Sequence, residues 1–107
     1  MKVSEKDIQK AILDYLKMRG YLCRRTNAGM ARYTYKGKEK FFKVGEAGWP
    51  DIEGILKDGS GRYFGIEVKA AGGELRPSQI EVGKMILGSN GIWFVARSVD
   101  EVISRGF

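Results

Sequence analysis

Arg62-Tyr63-Phe64-Gly65-Ile66-Glu67-Val68-Lys69 reads as a β-strand that ends in chemistry. Successive side chains of a strand point to opposite faces. Ile66 and Val68 therefore share one face and can enter a core, while Glu67 and Lys69 share the other and can line a cleft. The run before it, Asp51 to Leu56, also reads as a strand, and Lys57-Asp58-Gly59-Ser60-Gly61 between the two is a strong turn signal. A hairpin of this kind can bring Asp51 beside Glu67.

Outward from this hairpin, helical and strand patterns alternate. Ser4 precedes Ile8, Ile12, Tyr15 and Leu16, spaced as one face of an amphipathic helix that Gly20 ends. Tyr21 to Thr26 reads as a strand and Asn27-Ala28-Gly29 as a turn or loop. Arg32 to Lys36 and Glu39 to Val44 flank Gly37-Lys38 and suggest a hairpin with Lys38 at its tip. Gly45 to Pro50 is a glycine-containing connection, and Ala70 to Arg76 a loop. Pro77 suits the first turn of a helix running to about Leu87, and Ile92 to Ala96 is an apolar strand. Trp93 and Phe94 read as core, and Cys23 as a small core filler. Ser98 with Glu101 forms a capping box that opens a last short helix. The order α-β-(hairpin)-β-β-α-β-α implies one α/β domain over residues 1–107, a mixed β-sheet flanked by helices.

Composition narrows the chemistry. The 107 residues contain no histidine and one cysteine. Zinc sites built on Cys and His, His-based triads and an internal disulfide are excluded. Acid–base or metal chemistry falls to Asp, Glu, Lys, Tyr or water. Hydrophobic residues make up 43%, enough for a core. No apolar run is long enough to span a bilayer, and no secretory signal pattern follows Met1-Lys2. The net charge is +6, and it is uneven: residues 1–50 carry 12 Lys and Arg against 5 Asp and Glu, residues 51–107 carry 7 against 8. A basic half beside a carboxylate-bearing half suits a polyanion such as nucleic acid. A lysine-rich solvated surface gives the same numbers.

Two carboxylates a few ångströms apart repel each other, and a divalent cation relieves that repulsion. Magnesium prefers hard oxygen ligands, so Asp51 and Glu67 are candidate ligands for Mg²⁺ or Mn²⁺, with the Val68 backbone carbonyl as a further oxygen. Lys69 could position a nucleophilic water or neutralise charge on a phosphate. The plainer alternative is that Glu67 and Lys69 form an exposed ion pair on a strand. Arg24, Arg25, Arg32, Lys36, Lys38, Lys40 and Lys43 could contact phosphates, with Tyr33 and Tyr35 stacking or packing nearby.

Three segments taken together, Gly48-Trp49-Pro50-Asp51, Ile66-Glu67-Val68-Lys69 and Leu75-Arg76-Pro77-Ser78-Gln79, resemble the VRR-NUC domain, a branch of the PD-(D/E)XK nuclease superfamily. Glu5-Lys6-Asp7-Ile8-Gln9 and Asn27-Ala28-Gly29 are similar to the family as well. The resemblance implies a restriction-endonuclease-like fold, a hydrolase acting on DNA phosphodiesters, and metal held by Asp51 and Glu67. It implies that Lys69 is the catalytic lysine, Gln79 a further active-site residue, and Glu5 the first-helix acid that helps hold metal or its water. Length and the lack of appended domains are similar to stand-alone members from bacteria and bacteriophages. That in turn implies the cytoplasm of a bacterial or phage-infected cell, branched DNA such as Holliday junctions as substrate, and a homodimer. A monomeric flap-type or non-specific nuclease is one alternative, and a catalytically inactive nucleic-acid-binding module of the same fold is another.

Overall fold

The computed structural model describes residues 3–26, 29–44 and 46–107, with the backbone alone for 29–32 and 41–44. Its elements run α1 Glu5–Met18, β1 Leu22–Arg25, β2 Gly29–Tyr35, β3 Lys38–Val44, β4 Ile52–Ile55, β5 Tyr63–Val68, α2 Pro77–Gly88, β6 Ile92–Ala96 and α3 Val99–Ser104. The expected α/β class and mixed sheet are present. Four strands form one sheet in the order β1-β4-β5-β6. The first two pairings are antiparallel and β5–β6 is parallel, joined by α2 as a crossover.

The alternation in β5 organises two layers. Phe64, Ile66 and Val68 are fully buried on one face, against Ile8, Ile12 and Leu16 of α1, Ile52 of β4, Phe94 of β6 and Val102 of α3. Ser4 caps α1 by accepting from the Asp7 backbone N–H at 3.1 Å, and Ser98 caps α3 by accepting from that of Glu101 at 3.2 Å. Phe107 joins this core with rings 5.0 Å from Phe64 and 5.2 Å from Tyr21. Sequence patterning offered no sign of it, because Phe107 belongs to no periodic element. The other face of β5 carries Gly65 and Glu67 and lies under α2.

Three local expectations need correction. The hairpin turns at Lys36-Gly37, so Lys38 opens β3 opposite Tyr35 and is not the tip. Gly29 starts β2 and does not belong to a turn, because it pairs with Val44. Strand β4 begins at Ile52, which leaves Asp51 just ahead of it. The β2–β3 hairpin forms a two-stranded sheet of its own. Asn27, Ala28 and Gly45, on which parts of the turn, connection and resemblance rest, lie outside the described residues.

The connection into β4 is held by close packing. A Cβ on Gly65 would stand 2.5 Å from the Pro50 ring, and one on Gly48 would stand 2.5 Å from the Ser78 backbone oxygen. Only glycine lets Pro50 lie flat on β5 and lets the Gly48-Trp49 loop reach the start of α2. Gly65→Ala should lower stability by about 1–3 kcal/mol through overpacking, read as a fall in denaturant midpoint. Wild-type stability in that variant would refute the packing argument.

Candidate active site

Asp51, Glu67, Lys69 and Gln79 come together where β4 begins and β5 ends. Ile52 pairs with Ile66, so the antiparallel register sets Asp51 opposite Glu67. Asp51 Oδ2 accepts a hydrogen bond from the Val68 backbone N–H at 2.8 Å. A strand residue turns its N–H and C=O to the same neighbour, so the Val68 carbonyl also faces the Asp51 flank. Thr26 fixes the segment from the other side: its N–H donates to the Asp51 carbonyl at 3.1 Å and its hydroxyl donates to the Pro50 carbonyl at 2.7 Å. Thr26 had no sequence signal, since a threonine at a strand end is common and its role depends on pairing with a distant segment.

Glu67 is fully buried and Lys69 only 7% exposed. An exposed ion pair on a strand face is therefore ruled out as the reading of this tripeptide. The Gln79 side-chain amide donates to Glu67 Oε1 at 3.1 Å, and its own oxygen accepts from the Arg76 backbone N–H at 2.8 Å. One side chain thus caps α2 and orients the carboxylate. Oε2 of Glu67 is buried with no hydrogen-bond partner. A buried carboxylate oxygen without a donor is costly unless a proton or a cation satisfies it.

The electrostatics point the same way. The Glu67 carboxyl is pushed up to about 9, first by burial, then by the neighbouring Asp51 carboxyl, with Lys69 opposing and Glu5 adding a little. Without a cation, the Glu67 carboxyl keeps its proton into the alkaline range. Glu5 acts at a distance. Among the described residues no three Asp, Glu or Cys side chains gather closely enough to hold a metal between them. The donors at hand are two carboxylates and backbone oxygen, which fits an oxygen-preferring divalent ion with part of its hydration kept. The unsatisfied Oε2 is the atom such an ion would complete.

The basic residues are more dispersed. Arg24 is engaged with Glu53, its Nε donating to Oε2 at 2.9 Å, and Glu53 also accepts from the Tyr63 hydroxyl at 3.1 Å. Burial, followed by the Glu53 charge, raises the Tyr63 phenol well above its usual range and keeps it protonated. Lys36, Lys38 and Lys40 are exposed on the hairpin. The side chains of Arg32 and Lys43 lie outside the described set. No helix among the described residues is long and apolar enough to cross a membrane.

The chain matches no family model, no curated protein and no solved structure. The functional reading therefore stands on the geometry and on the sequence resemblance.

Burial of Glu67 makes a pH-dependent prediction. Its folded value lies above the ordinary 4.5, so the folded state holds the proton more tightly than the unfolded chain does. The associated stability is present in full below 4.5 and is lost as pH rises through about 9. In EDTA, Glu67→Gln should melt higher than wild type, with a gap that widens from acidic to alkaline pH. A gap that does not change with pH would refute the assignment.

Proposed function

We propose that this chain is a metal-dependent endonuclease that hydrolyses DNA phosphodiester bonds, a restriction-endonuclease-like domain of the PD-(D/E)XK type close to VRR-NUC. The observation that carries the reading is the fully buried Glu67, with one oxygen unsatisfied, beside Asp51 and a nearly buried Lys69. Structural ion pairs seldom leave a carboxylate oxygen unpartnered, whereas ligand sites do so until loaded.

Asp51 and Glu67 would hold Mg²⁺ or Mn²⁺, with the Val68 carbonyl as a third oxygen and Glu5 acting through water. When bound, such an ion acidifies water and stabilises charge that develops on a phosphate. Lys69, nearly buried beside the pair, would orient an attacking water or balance the charge on the phosphate oxygens. Gln79 keeps Glu67 aimed through the hydrogen bond it donates. Thr26 and Pro50 keep Asp51 in reach. Proton loss from Glu67 must accompany loading, so metal affinity would rise with pH.

By the same resemblance the preferred substrate is branched DNA such as a four-way junction. Cutting two strands of a symmetric junction takes two active sites, and a C2 homodimer supplies them.

A Mg²⁺-dependent cleavage panel with junction, flap, single-strand and duplex DNA tests the reading. Wild type should cut the junction and elute as a dimer. Lys69→Ala and Glu67→Gln should each lose about 10²-fold or more in rate while DNA binding is kept. Cleavage of flaps alone by a monomer would replace the junction reading with a flap nuclease. Equal residual cleavage in both variants would place the activity elsewhere, and binding without cleavage in wild type would leave a binding module.

A further inference from the structure

A second feature lies at the β1 edge of the sheet, beside α1. Helix α1 and edge strand β1 enclose a groove of about 610 Å³. Lys6, Lys10 and Lys17 of α1 and Arg24 and Arg25 of β1 line it. Residues 6, 10, 13 and 17 follow helical spacing and form one stripe beside the buried Ile8-Ile12-Leu16 face. The lysines of that stripe are exposed, so packing does not fix their identity.

The negative groups along this groove do not cancel its charge. Asp7 and Asp14 are the two acids that line it. Asp14 pairs with Lys10 at 2.6 Å, with both side chains more than 60% exposed (69% and 61%), a contact of little strength that another anion can displace. Arg24 is drawn to Glu53. Arg25 is different: it is half buried, and its Nε is buried with no hydrogen-bond partner. A guanidinium N–H shielded from water and left without an acceptor is a poor structural choice and a good anion donor.

Position links the groove to the active site. Arg25 pairs in register with Ile52, the residue after Asp51, and the next residue, Thr26, bonds the Asp51 carbonyl. We infer that the α1–β1 groove is the track for a phosphodiester backbone: the α1 lysines bind successive phosphates and Arg25 holds the one nearest the acidic pair. The track deepens the proposed function and rests on it insofar as the polyanion is a nucleic acid. It separates grip, on α1 and β1, from chemistry, on β4 and β5.

The test is fluorescence anisotropy of the full chain with a fluorescein-labelled four-way DNA junction in EDTA, across a salt series. Replacing Lys6, Lys10 and Lys17 together by Ala should weaken binding by at least about tenfold and flatten the dependence of log affinity on log salt by about 0.9 per lysine. Arg25→Ala should weaken binding at every salt concentration, with Arg25→Lys recovering part of the loss. Thermal melts check folding; should Arg25→Ala fail to fold, the exposed lysine triple decides alone. A wild-type salt slope in that triple overturns the track. Binding of phosphatidylserine vesicles in place of DNA, lost in the same triple, also overturns it. Equal binding of an RNA strand supports it, because the backbone is what is gripped. Wild type that binds with this lysine dependence yet never cleaves would sink the nuclease reading and leave the track standing.

Discussion

Glu67 occupies a position that packing alone would give to an apolar residue. It stands on β5, which has a strand on each side and whose Phe64, Ile66 and Val68 are sealed in the core. Its own face is closed by α2 and by the Pro50 segment. Burying a carboxylate there costs stability that Lys69 and Gln79 offset only in part, and Asp51 adds repulsion. A hydrophobic side chain at 67 would serve the fold better. Residues kept against the interest of stability are where function is to be sought.

The surroundings of that residue fit a site that must hold its shape. Asp51 lies outside any strand, yet four contacts restrain its segment: the Val68 N–H, both hydrogen bonds from Thr26, and the Pro50 ring lying on Gly65. Gln79 is held by the Arg76 N–H at the start of α2 before it reaches Glu67. Each acidic group is therefore oriented from a helix or a strand end, and none depends on a free loop. Pre-set geometry of this sort lets charged groups act without rearranging when charge develops nearby.

Local patterns in the sequence carried most of the fold. The α1 stripe, the Pro77 start of α2, the Ser98 cap of α3 and the turn at 57–61 all depend on residues within a few positions of one another, and each is present in the structure. The capping box read at Ser98 forms by half, because the Glu101 carboxylate accepts from the Arg97 N–H and not from that of Ser98. The opposition of Asp51 and Glu67 was legible for the same reason, since a short turn between two strands fixes register. Four features were not legible. Thr26, Phe107 and the detached β2–β3 hairpin depend on pairings between distant segments, which no short window records. The burial of Lys69 was also hidden, because a lysine after a strand reads as solvent-facing until the layer above it is known. That burial is what turns a common Glu-x-Lys pattern into a candidate site.

The uneven charge of the chain gains a spatial meaning from the sheet order. Strand β1, from the basic half, pairs directly with β4, which begins at the acidic pair. The net-positive half therefore borders the carboxylates, with Thr26 and Pro50 holding Asp51 in place. An exposed edge strand needs protection against pairing with other chains, and Arg24 and Arg25 provide it by charge and by bulk. The same arginines lie beside the lysine stripe of α1, so what guards the edge also sets positive charge along the groove. Attraction at the rim and repulsion at the centre are complementary. On the proposed reading, a phosphate drawn along the positive edge would meet, beside Arg25 and Thr26, a pair of acids that would repel it unless a cation stood between them. Nucleic acid and divalent ion would then each favour the other's binding, because the ion would remove the repulsion that the backbone would feel from Asp51 and Glu67.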